Sequence, residues 1–135
     1  GTYVTQAAIF IHFDGAERPC TSGASIGYHR PQYREAAAQW RTLYSRYIPF
    51  SFEPDNFTAG LRDYYAYKQV DASRASLVLE LGELTCPAQK AWLAPRLLDV
   101  ADLLAYYLSA LIGKGDVPLG SKWPSNAASQ NHRPH

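Results

Sequence analysis

The chain has 135 residues, 47% of them apolar and 13% aromatic, with 13 basic and 12 acidic residues for a net charge of +1. That length bounds it to one domain with a sizeable core. The near-neutral balance shows no clustered basic footprint of the kind nucleic acid requires, and no run of 18 apolar residues exists to cross a membrane as a helix. There is no Met, and a strand-like run begins a few residues after Gly1, which raises the expectation that N-terminal material has been removed or is supplied elsewhere.

The first element is a buried strand over residues 7–13, Ala-Ala-Ile-Phe-Ile-His-Phe, followed by Asp14 and Gly15. A polar loop rich in Gly, Pro and Ser runs to Ser22. Residues 23–28 alternate weakly and read as a short second strand suited to a sheet edge. His29-Arg30-Pro31 opens a helix, with Pro31 fitted to the first turn. Its apolar positions Ala36, Ala37, Trp40, Leu43, Tyr44 and Tyr47 share one face, and Pro49 ends it. Residues 49–75 have no clean period but hold Phe50, Phe52, Phe57, Tyr64, Tyr65 and Tyr67, too many aromatics for a disordered segment. Such rings either pack a long loop or line a groove for sugar or peptide.

Residues 76–82, Ser-Leu-Val-Leu-Glu-Leu-Gly, read as a strand covered on both faces. Pro95 opens a last helix in which Leu97, Ala101, Leu104, Leu108 and Leu111 repeat at four, three, four and three, with Gly113 at the C′ position. Residues 1–113 thus form the folded unit, and 114–135, rich in Gly, Pro, Ser and Asn, read as a tail or linker. Strand, strand, helix, loop, strand, helix is the order of an α/β fold with helices flanking a sheet.

Two strand ends carry the chemistry. Ligands bind outside the carboxyl ends of strands in open α/β sheets, so His12 and Glu80 can share one rim. Glu80 closes an apolar strand, which is unfavourable for a carboxylate unless it is paired or functional. A salt bridge to Arg62 or Arg74 is the alternative to a catalytic role. Cys20 and Cys86 each lie a few residues past one of these ends. They are either bridged, which requires Cα atoms within about 7 Å, or two separate thiols. Asp14 suits either the cap of the following turn or a bond that orients His12. Arg62 offers a planar fork for a peptide carboxylate, or a surface partner for Asp63.

Taken in order, Ile9-Phe10-Ile11-His12-Phe13-Asp14, Ser22-Gly23-Ala24-Ser25-Ile26-Gly27-Tyr28 and Leu77-Val78-Leu79-Glu80-Leu81-Gly82, with a helix between and another at the end, resemble zinc-dependent N-acetylmuramoyl-L-alanine amidases of the amidase_3 type. The resemblance covers roughly residues 7–112. It implies a mixed, mostly parallel sheet flanked by helices, lacking its N-terminal strands. It implies a zinc held by two His and one Glu, with His12 as one ligand, Glu80 as the catalytic carboxylate and Arg62 as a substrate contact. The family's first zinc His, in a D-x-G-H-G motif, and its Glu ligand have no counterpart in this sequence, and His29, His132 and His135 are poorly placed to replace them. Glu83 stands where the family has an aromatic, and Cys86 where it has Asn. The implied substrate is peptidoglycan, the implied location extracytoplasmic (periplasm, cell wall, secreted or a phage lysin), and the missing half would come from a separate chain or a lost segment. A non-catalytic wall-binding module on a degenerate amidase fold is the other reading.

Overall fold

The computed structural model of the chain describes residues 5–68, 70 and 72–113. The expected tail at 114–135 lies outside them. Strands β1 (Ala7–Asp14), β2 (Ser25–Gly27) and β3 (Ala75–Glu83) form a sheet in the order β1-β3-β2. β1 runs parallel to β3, and β2 runs antiparallel to it. Helices α1 (Arg34–Ser45), α2 (Ala59–Arg62), α3 (Pro87–Leu93) and α4 (Leu97–Leu111) complete the frame, with short 3-10 turns before α1, after α2 and between α3 and α4. The expected α/β class, a small mixed sheet with flanking helices, is what the chain adopts.

β3 is central, which is why its sequence is apolar without alternation: both faces are covered. Leu77, Leu79 and Leu81 face the main core with α1 and α4. Trp40 and Tyr44 of α1 are fully buried there and stack at 4.8 Å between ring centroids. The buried phenols find acceptors as burial demands: Tyr44 donates to the Leu81 carbonyl, and Tyr107 to that of Ala36.

The α4 seam differs from the expected one. The buried stripe is Val100, Leu103, Leu104 and Tyr107, while Leu97 is 48% exposed. Tyr107 fills the space over Trp40, at 5.3 Å between centroids, and this turns the helix away from the leucine repeat. Gly113 takes φ +82°, the left-handed conformation that ends a helix at C′.

α3 breaks the expected gap before Pro95. It has seven residues, starts with Pro87 at its first turn and buries little besides Gln89 and Leu93, too short a pattern to show a period. The segment 49–75 holds more structure than its lack of period suggests. Thr58 caps α2 by accepting from the Leu61 N–H. Its rings divide: Phe50 and Phe52 pack against the main core. Tyr64 and Tyr67 instead lie over the opposite face of the sheet, against Phe10 of β1. α2 can come down on that face because Gly27 of β2 has no side chain. A Cβ there would lie 2.5 Å from the Leu61 carbonyl oxygen.

Candidate active site

The parallel register pairs His12 of β1 with Glu80 of β3. Neighbouring strands lie about 4.8 Å apart and paired residues share a face, so the imidazole and the carboxylate stand side by side near the carboxyl ends of both strands. They lie on the face roofed by Tyr64, not on the leucine face. His12 Nε2 is 3.0 Å from the Tyr64 hydroxyl, and the two rings meet edge to face.

Glu80 is half-buried, and its Oε2 is enclosed without a hydrogen-bond partner. Burial first, and the nearby Asp14 carboxylate second, push its pKa up to about 7. A carboxyl group that takes and gives a proton near neutrality is the species acid–base catalysis needs. Neither Arg62 nor Arg74 forms an ion pair with it among the described residues. Arg62 lies exposed on the surface, with its fork on the adjacent Asp63 at 3.1 Å.

Past Glu80 the strands fall out of step. β3 uses three residues, Glu80 to Glu83, where β1 uses two, His12 to Asp14. Such a bulge re-aims side chains, and Glu83 turns into wholly different surroundings. It is fully buried, and its carboxylate accepts from the backbone N–H groups of Cys20, Thr21 and Ser22 and from the hydroxyls of Ser22 and Thr85. Burial alone would raise its pKa. The bonds from Cys20, Thr85, Ser22 and Thr21 outweigh that and hold it down at about 2.

The loop around Glu83 is closed by a disulfide between Cys20 and Cys86, whose Cα atoms are 4.6 Å apart. It ties the segment leaving β1 to the segment leaving β3. Cys20 takes φ +65°, which aims its N–H at the carboxylate. Gln89 of α3 locks the same loop from behind, accepting from the Glu83 N–H and donating to the Ser22 carbonyl. Asp14 also serves it: one oxygen accepts from the Gly15 N–H and the other from the Ser22 hydroxyl, so its hydrogen bonds go to the turn and not to His12.

A catalytic zinc takes three protein donors and leaves one position open. His12 supplies one. The only cluster of three donors among the described residues is Cys20, Glu83 and Cys86. Its sulfurs are bonded to each other and its carboxylate is saturated, so it is unsuited to a metal. His29 is exposed and stacks on Tyr67, and His132 and His135 lie outside the described residues. The described residues by themselves do not make a zinc site.

Tyr64, Ser22 and Glu83 were not foreseeable as parts of this rim. Their contacts cross 52 and 61 residues of sequence, and no local pattern marks them.

No protein-family model matches the sequence, and no curated protein matches it. Among solved structures, the chain is similar in fold to the catalytic domain of CwlV, an N-acetylmuramoyl-L-alanine amidase from Bacillus (Paenibacillus) polymyxa var. colistinus. The TM-score is 0.59 at 14% identity, over 80% of this chain and 58% of that one. The likeness is one of architecture, and the chain spans little more than half the length of its neighbour.

Proposed function

We propose that this chain is the C-terminal portion of a peptidoglycan hydrolase domain that cuts the amide between N-acetylmuramic acid and L-alanine. The observation that carries the reading is the pairing of His12 with a half-buried Glu80, whose Oε2 has no hydrogen-bond partner among the described residues, at the carboxyl ends of two parallel strands. The fold shared with an amidase catalytic domain supports it.

In this reading Glu80 is the proton shuttle. As a carboxylate it takes a proton from water while the water oxygen attacks the amide carbonyl. As the C–N bond breaks, it gives that proton to the departing amine. A pKa near 7 lets one group do both. His12 is assigned as one of three zinc donors, and the others come from residues outside those described or from a separate chain. Arg62 is assigned to a peptide carboxylate, for which it would exchange its bond to Asp63. The disulfide suits an oxidising, extracytoplasmic setting.

The single donor among the described residues also favours a second reading, a wall-binding module without turnover. One experiment separates the two: release of stem peptides from purified peptidoglycan, with and without added zinc, by the full chain. The amidase reading expects zinc-dependent release that Glu80→Gln lowers by about a hundredfold or more, with the fold intact by circular dichroism. Unchanged release in that variant removes Glu80 from the mechanism. Wall binding with neither zinc uptake nor release supports the module.

A further inference from the structure

A cleft of about 430 Å³ opens on the roofed face of the sheet, toward the start of β3. Ser76 and the almost wholly buried Tyr33 form its floor, Tyr64 and Tyr67 its walls, and His29 and Arg30 stand exposed at its rim. Ser76 and Glu80 are four steps apart along the strand, about 13 Å at the usual rise. Tyr64 stands between the two, with one edge on the cleft and its hydroxyl on His12.

The floor carries an unexplained polar atom. Ser76 is 4% exposed, and its Oγ has no hydrogen-bond partner among the described residues. A buried hydroxyl left unpaired is unfavourable, and native structures rarely keep one without a reason. Its register partner on β1 is Ala8, whose methyl group leaves space beside it. The Tyr67 wall is an apolar ring surface, because its phenol is turned away onto the Leu61 carbonyl. Arg30 and Asp63 lie at the rim, and Asp63 is already paired with Arg62, so the rim presents no unbalanced anion. Flat ring walls, a hydroxyl at the floor and a balanced rim fit a neutral ligand with an apolar face and hydroxyls at its edge. The volume falls within the range of small-ligand sites.

We propose that this cleft is a sugar subsite that holds one pyranose ring of a glycan, with the Ser76 hydroxyl bonded to the sugar and tyrosine rings against its C–H face. The choice of a sugar rests on the peptidoglycan reading. The subsite would anchor the glycan strand about 13 Å from Glu80, so that the neighbouring unit reaches His12 and Glu80 past Tyr64.

The test is titration of the full chain with an N-acetylglucosamine trisaccharide, followed by amide NMR shifts and by calorimetry. Shifts should centre on Tyr33, Tyr67 and Ser76. Ser76→Ala should weaken binding by about tenfold, the worth of one hydrogen bond, while leaving Tm unchanged or slightly higher because an unpaired hydroxyl is gone. Ser76→Val, which fills the floor, should abolish binding. Absence of binding by the wild-type chain, wild-type affinity in both variants, or shifts confined to residues outside the cleft overturns the proposal. Binding that survives in Glu80→Gln while hydrolysis is lost upholds both site and mechanism. Sugar binding by a chain that releases no stem peptide under any condition leaves the cleft standing and sinks the amidase reading. Release without binding does the reverse.

Discussion

Glu80 and Glu83 lie three residues apart on one strand and have opposite fates. Glu80 keeps an oxygen enclosed and unbonded, and its pKa rises to about 7. Glu83 is more deeply buried, yet five donors surround it and its pKa falls to about 2. Burial therefore does not decide what a carboxylate becomes; the supply of donors does. The bulge between them leaves one acid beside His12 and turns the other into the scaffold. A strand can hold a poised group when the residues just beyond it are fixed.

The largest effect should come from removing the fixed member. Glu83→Ala leaves three backbone N–H groups unpaired around a void, and Tm should fall by ~20 °C or more in thermal melts. A fall no larger than that of a surface Glu→Ala control would mean the loop holds itself.

Next comes the disulfide that closes the same loop. Its cysteines are 66 residues apart in sequence, so reduction should lower stability by about 4 kcal/mol if chain entropy governs. Urea melts with and without dithiothreitol measure this. If reduction leaves the midpoint unchanged, the Glu83 bonds alone maintain the rim.

The smallest effect separates the two acids by pH in the metal-free chain. From an ordinary value of 4.5, Glu80 rises to about 7 and Glu83 falls to about 2. Between about 4.5 and 7 the unfolded chain has released the Glu80 proton and the folded chain still holds it, so stability falls as pH rises across that window. After screening by solvent at this half-exposed site, the loss is about 2 kcal/mol. Glu83 acts in the other direction: its contribution is complete above about 4.5 and disappears as pH falls toward 2. Denaturation curves of Glu80→Gln should lack the descent above 4.5 and keep the acid-side loss. A variant that retains the descent would assign it to another group.

The frame of this arrangement is legible in the sequence. Two apolar runs stopping at Gly15 and Gly82 announce strands, and β3 is buried as expected, whereas β1 stands at the sheet edge with every residue at least partly exposed and Ile11 49% exposed. Because those strands are neighbours, Cys20 and Cys86 fall within reach of each other. The α1 face from Ala36 to Tyr44 reads directly from its spacing. What escapes is set by contacts between distant segments. The leucine repeat of α4 loses to the fit of Tyr107 over Trp40. Glu83 reads as an oddity of sequence because its donors come from a loop about 60 residues earlier. Tyr64 lies in a stretch without periodicity, and only the packing of α2 over Gly27 carries it to His12.

That last contact has a further consequence. The clearance between α2 and the sheet is governed by an absent side chain at Gly27, where a single methyl group would meet the Leu61 backbone at 2.5 Å. The height of the ceiling above His12 and Glu80 is thus encoded at a position that touches neither. Substitution there changes the headroom, while His12, Glu80 and Tyr64 all keep their identity.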